Sequence, residues 1–183
     1  MELDIQANRH ARKYSTHELA LRVAWACALP LYRLSPRLLY GWRNLLLRLF
    51  GARIGRGARI HPRARIYFPW QFIAGNDLTI GEDVLVYNLG TVTLGHRVTL
   101  SHGVQLCAGT HDYNQPDFPL RKPPVAVGDD AWVCTEAFVG PGVTVGAAAV
   151  VGARAVVTRD VEPAAIMAGN PAQRVGTRRI GVA

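Results

Sequence analysis

The sequence predicts an all-β solenoid of six-residue repeats, preceded by a short α-helical segment. Three observations carry that prediction. Aliphatic residues fall at Val127, Val133, Val139, Val145, Val151 and Val157 without exception. Small residues follow each of them (Gly128, Cys134, Gly140, Gly146, Gly152, Thr158), and a second small or β-branched set occupies Ala131, Ala137, Val143, Ala149, Ala155 and Val161. Residues 1–53 lack this rhythm and carry helix signals instead. A period of six fits neither an α-helix at 3.6 residues per turn nor the simple alternation of a sandwich. It fits short flat strands joined by tight corners and coiled into a prism. The aliphatic residue then points to the axis, and successive coils stack ~4.8 Å apart.

The helical segment comes first. Ser15-Thr16-His17-Glu18 is a capping box, in which Ser15 caps the helix start and Glu18 reaches back. The apolar run that follows is expected to stop at Pro30, which cannot continue a helix interior. Ser35-Pro36 then supplies a second N-cap with proline at the first helical position. Leu38, Trp42, Leu45, Leu46 and Leu49 recur at helical spacing, with Arg37, Asn44 and Arg48 off that stripe, and Gly51 ends the element. Two roles are open to this segment: capping one end of the prism, or resting on anionic lipid as a basic amphipathic helix.

The repeats begin at Ile54 and Ile60, reappear at Ile80, and continue from Leu94 and Leu100. The expected organisation is a helical segment over 1–53, a β-helix over 54–168 with an inserted loop at about 107–126, and a C-terminal tail over 169–183.

Composition narrows the function classes. Of 183 residues, 49% are hydrophobic and 19% charged, which excludes a disordered chain. Cys27, Cys107 and Cys134 are too few and too unevenly spaced for a disulfide framework or a zinc knuckle, which fits a reducing cytoplasm. The formal net charge is +8, and residues 1–53 hold nine Lys/Arg against Glu2, Asp4 and Glu18. The remainder is nearly balanced, so no nucleic-acid partner is expected. The apolar run from Val23 to Tyr32 is about half the ~20 residues that a membrane span needs. Glu18 and Arg22 and the lack of a small-x-small site argue against a signal peptide. The expected location is cytoplasmic, with the inner face of the membrane open to residues 1–53.

The strings LCAGTHDYN, VGDDAWVCTEAFVGPGVTVG, VVGARAVVTRDV and AGNPAQRV resemble the hexapeptide-repeat O-acetyltransferases. The likeness is to the galactoside, maltose and nodulation-factor group, and most of all to the colanic-acid-biosynthesis type. It is strong over residues 80–175 and looser before them. The resemblance implies a left-handed parallel β-helix, acetyl-CoA as cosubstrate with no permanently bound cofactor, and a homotrimer with sites between adjacent prisms. It further implies that Trp132, Thr135, Ala153, Thr158, Arg159 and Arg174 bind CoA. Thr158-Arg159 stands where the family has Thr-Lys, Ala153 gives a backbone contact to the pantetheine arm, and Arg174 is the tail arginine.

The rhythm fails between Leu106 and Val127, where Pro116, Pro119, Pro123, Pro124 and Arg121-Lys122 mark an ordered excursion. Long loops in compact repeats are usually functional. His111 stands at its start, where the resemblance places the catalytic histidine. An alcohol attacking a thioester must lose its proton in the transition state, and histidine is the natural base near neutral pH. Asn88 falls on the face that leads to His111 when three sides are counted per coil. Two readings are open for it: an amide that positions the acceptor or His111, or a corner asparagine selected for its turn propensity.

The expected reaction is acetyl transfer from acetyl-CoA to a sugar hydroxyl in exopolysaccharide or surface-polysaccharide synthesis. Serine or a nucleotide sugar is an alternative acceptor. A zinc hydratase of the carbonic anhydrase kind on the same prism is a further alternative, using His61, His96 and His102, but their pattern does not match a three-histidine site and no metal is expected. Cys107 and Cys134 sit where small packing residues belong, and direct transfer needs no nucleophilic thiol.

Overall fold

The computed structural model describes residues 3–179 and 181, so the end of the tail expected over 169–183 lies partly outside the described residues. The repeats form a parallel β-solenoid with three flat faces. The first face stacks Arg53–Ile54, Phe72–Ala74, Val92–Leu94, Val125–Val127 and Thr144–Val145. The third stacks Arg65–Ile66, Leu85–Tyr87, Gln105–Cys107, Phe138–Val139 and Val156–Val157. The second runs from Arg59–Ile60 through Thr79–Ile80, Thr99–Leu100, Trp132–Val133 and Val150–Val151 to Ala165–Ala168. There Gln173–Thr177 turns back antiparallel and closes the face.

The inward positions of the stacked strands are aliphatic or Ala apart from Phe72, and Ile60, Ile80, Leu100, Val133 and Val151 are all buried in one column. Corners repeat a left-handed residue at Asp77, Asp83, Arg97, Asp130, Glu136, Ala148 and Arg154. At Gly75 an added Cβ would lie 2.7 Å from the His96 nitrogen of the next coil, so the stacking distance itself demands glycine there. The rhythm is not six throughout. The third-to-first corner advances from Ile66 to Ala74 and from Val86 to Leu94, two residues more than a hexad.

Three helices precede the solenoid: α1 (Ile5–His10), α2 (Thr16–Arg33) and α3 (Tyr40–Leu49). The Ser15–Glu18 capping box is formed in both directions. Pro30 does not end α2. It lies in the last turn, and its carbonyl accepts from the Leu34 N–H, so the ladder closes past it. Nor does α3 begin at Pro36: Ser35 and Pro36 instead face Arg43, and the helix starts at Tyr40.

The packing face of α3 is also not the expected one. Leu38, Trp42, Leu45 and Leu49 face solvent, while Arg43, Asn44, Leu46 and Leu47 are buried. The reason is the open edge of the first coil. Its outward carbonyls have no preceding strand to accept from, and an exposed edge is a site for unwanted pairing. Side chains of the helices supply the missing donors. Arg43 Nε donates to the Ile60 carbonyl at 2.8 Å, Asn44 Nδ2 to Ala58 at 2.8 Å, Arg48 Nη2 to Ile54 at 2.9 Å and Trp25 Nε1 to Ile66 at 3.1 Å. Polar demand at the edge outweighs the apolar stripe.

Candidate active site

The excursion predicted to carry the chemistry leaves the third face after Cys107 and returns at Val125. Thr110–His111 pairs antiparallel with Leu120–Arg121, which fixes His111 at the base of a hairpin. The half-buried imidazole stacks on Phe118, with ring centroids 4.6 Å apart and 9° between planes. Its Nδ1 lies 2.8 Å from the Phe118 carbonyl oxygen. A carbonyl oxygen only accepts, so Nδ1 carries the hydrogen and Nε2 keeps a free lone pair. Phe118 holds a left-handed φ of 47° away from any solenoid corner, a conformation that costs a bulky residue about 1–3 kcal/mol. That strained turn aims the carbonyl at the ring.

Sequence reasoning missed a second contributor. The N-terminal arm crosses the hairpin: the Asp4 N–H donates to Pro116 O at 2.7 Å, and Lys122 Nζ donates to Lys13 O at 3.0 Å. Asn8 Nδ2 donates to the same Phe118 carbonyl that accepts from His111, and to Asp117 O at 2.9 Å. Lys13 Nζ donates in turn to Asn8 Oδ1 at 2.7 Å. No local signal marks Asn8, because its partner lies 110 positions away.

Asn88 directly follows the third-face strand Leu85–Tyr87. It is fully buried, its Nδ2 donates to Phe68 O at 2.6 Å, and its Oδ1 accepts from the Phe68 N–H at 3.0 Å. Both ends of the amide are used to clamp the wide corner of the preceding coil. The outward residue before it, Tyr87, takes the place on the surface beside the hairpin. Tyr87 packs edge-on against Tyr67 with centroids 4.9 Å apart, and a Cβ at Gly109 would lie 3.2 Å from the Tyr87 ring. Burial raises the Tyr87 phenol above its usual pKa, and Tyr14, Cys107 and Tyr67 add to the effect.

The residues assigned to CoA by resemblance fall into two groups. Thr158, Arg159 and Arg174 line one cavity of about 380 Å³ at the C-terminal end, reached from the third-to-first edge that also carries His111. Arg174 donates to Glu162 Oε2 at 2.6 Å and to Thr177 Oγ1 at 3.0 Å, while Arg159 holds no ion pair among the described residues. Trp132, Thr135 and Ala153 lie instead on the second face and the edge after it. Trp132 is exposed and donates to Ser101 Oγ at 3.0 Å, and the Arg154 N–H next to Ala153 donates to Thr135 O at 2.9 Å.

His61 and His102 follow second-face strands two coils apart, and His96 follows a first-face strand. His96 Nδ1 accepts from the Asn76 N–H at 3.0 Å, and His102 Nδ1 sits 3.4 Å from Thr135 Oγ1. Among the described residues no three His, Cys, Asp or Glu side chains are placed to share one ion. Burial raises the Cys134 thiol, which disfavours the thiolate there.

No family model matches the chain. It is 38% identical over 154 residues to the Escherichia coli K12 protein named as the colanic acid biosynthesis acetyltransferase WcaF, covering 84% of this chain and 85% of that one. It is 34% identical over 137 residues to Nodulation protein L of Rhizobium meliloti strain 1021, covering 71% and 73%. The fold matches a hexapeptide-repeat acetyltransferase of Vibrio cholerae, solved with acetyl coenzyme A, at a TM-score of 0.84, 23% identity and 93% and 94% coverage. The repeat, the hairpin and these relatives agree: the chain belongs to the hexapeptide-repeat acetyltransferases of the colanic-acid and nodulation-factor group.

Proposed function

We propose that this protein moves the acetyl group of acetyl-CoA to a hydroxyl of a saccharide in surface-polysaccharide synthesis, with His111 as general base. The observation that carries this reading is the Nδ1–Phe118 hydrogen bond, which leaves Nε2 free to accept a proton. In the proposed step the acceptor oxygen attacks the thioester carbon while Nε2 takes its proton. Collapse of the tetrahedral adduct breaks the C–S bond, and the imidazolium returns the proton to the departing thiolate. Arg159, with Arg174, supplies charge for the CoA phosphates.

Trp132, Thr135 and Ala153 stand one full face away from His111, roughly 16 Å at ~3.3 Å per residue. That separation supports a trimer with each site shared between adjacent prisms. The enzyme is proposed to work on the cytoplasmic side of a membrane. No helix among the described residues is long and apolar enough to cross one.

Free-thiol release from acetyl-CoA in the presence of saccharide acceptors tests the reaction; no release with any sugar hydroxyl would refute it. Arg159→Ala is expected to raise the KM for acetyl-CoA about tenfold with kcat little changed, because phosphate contacts act as uniform binding. An unchanged KM would remove the phosphates from this cavity. Asn8 is proposed as a positioning residue. Losing one hydrogen bond of ~1–1.5 kcal/mol in Asn8→Ala should lower kcat about tenfold while both KM values hold within about twofold. A rise in KM without a fall in kcat would instead make Asn8 part of a binding surface.

A further inference from the structure

Between α2 and the third face of the first coil lies a groove of about 340 Å³ that the acetyl-transfer chemistry does not use. Arg22, Arg33 and Arg65 line it. Arg63, Arg97 and Arg154 of the solenoid surface pair with carboxylates. Arg22, Arg33 and Arg65 have no carboxylate partner among the described residues. Arg22 lies instead over the Tyr14 ring, 4.3 Å from its centroid, and over Phe68. Three like charges around one groove raise one another's energy, and a bound anion relieves that. Guanidinium forks suit phosphate oxygens in particular.

The floor of the groove indicates what the phosphate is attached to. It is apolar, formed by Trp25, Leu29 and Ile66, and Trp25 has already committed its N–H to the Ile66 carbonyl. Apart from the arginines, the Tyr67 hydroxyl is the only free polar side chain in the lining. No carboxylate or amide is present to read a base or a ribose, so a nucleoside fits poorly.

A hydrocarbon chain fits well, and the other flank of α2 carries a separate exposed apolar strip. Leu31 and Leu34 are 59% and 83% exposed, and Leu38 and Trp42 of the adjoining segment face the same solvent. Pro30, Leu31, Leu34 and Trp42 line a second, apolar cleft between the helices. A second copy of the chain is a poor cover for this strip. Pairing it with itself would bring Arg33 and Arg37 of both copies together, with Glu18 the only acid in α2 or α3. An anionic bilayer satisfies both the leucines and the arginines.

We propose that the groove binds the phosphate of a saccharide-carrying lipid while the leucine strip rests in the bilayer, so that the acceptor hydroxyl reaches His111 from the membrane. The proposal rests on the acetyltransferase reading above. The path between the two sites is continuous: Tyr67 lines the groove and meets Tyr87, which packs on Gly109 beside His111.

The test is flotation of the full-length protein with phosphatidylcholine vesicles, alone or doped with a polyprenyl phosphate. Doped vesicles should bind it far more tightly. Arg33→Gln/Arg65→Gln should cut that preference about thirtyfold, the combined effect of two basic residues at an anionic surface. Arg33→Lys/Arg65→Lys, which keeps the charge, should retain most of it. Leu34→Ser/Leu38→Ser, on exposed positions, should weaken binding to both kinds of vesicle.

Equal binding to plain and doped vesicles would overturn the proposal, as would full retention by the glutamine variant. Competition by a soluble nucleoside diphosphate as strong as by the lipid would reassign the groove to a nucleotide. A Leu34→Ser/Leu38→Ser protein that changes oligomeric state with vesicle binding intact would assign the strip to a second copy. Acetyl-CoA turnover by the unmodified protein on a soluble saccharide checks the underlying reading separately, since it needs no vesicle.

Discussion

His111→Ala is expected to lower kcat by ~10²–10⁴-fold, the usual loss when a general base is removed. The KM for acetyl-CoA should hold within about twofold, because the cavity proposed for its phosphates lies farther along the solenoid than the hairpin. The thermal midpoint should hardly move, since the imidazole sits half-buried on an excursion and outside the axial core. His96→Ala and His102→Ala remove rings that bond only to corner groups of adjacent coils, and turnover should stay within about threefold of the parent. A His111→Ala enzyme with near-normal turnover would end the general-base assignment, whatever became of the fold.

The second large effect is on stability. Arg43 is fully buried without a carboxylate partner, and its guanidinium donates to Ile60 O, Pro36 O, Arg37 O and Ser35 Oγ while lying over the Tyr40 ring. Arg43→Met preserves much of the volume and deletes every donor. Several carbonyls are then left dry, and the loss should reach about 3–5 kcal/mol in the free energy of unfolding measured with denaturant. Leu45→Ala, on the exposed side of the same helix, should stay within about 0.5 kcal/mol. Equal effects from the two substitutions would mean that α3 packs through its leucine stripe after all.

These two residues also show what the sequence makes legible. The solenoid was readable because each side of the prism needs one inward aliphatic residue and one small corner residue, a steric demand written directly as a period. The place of His111 on the excursion was readable because it opens the one long break in that period. Arg43 was not, since the requirement it answers is a row of open carbonyls on strands that follow it in the chain. Periodicity alone favoured the Leu38–Leu49 stripe as the packing face.

The clamp that Asn88 makes on Phe68 was hidden for a related reason. The extra two residues in the corners at Phe68–Pro69 and Leu89–Gly90 hide inside an otherwise regular count, and only the folded corner reveals a backbone that an amide must clamp. Asn8 and Phe118 meet through the folding of the arm across the hairpin, which no window of sequence contains.

The register on either side of the hairpin has an evolutionary consequence. Val125 pairs with Val92 as an uninterrupted coil would, although the excursion from Leu106 to Val127 spans 21 residues where the two preceding coils use eight. The ladder therefore does not sense how long the excursion is. Closing a loop of twice the length costs only about 0.6 kcal/mol more. The tip of the hairpin between Asp112 and Phe118 can thus vary in length while the hydrocarbon axis stays the same. Insertions and deletions in that one segment therefore need not renegotiate the stability of the spine.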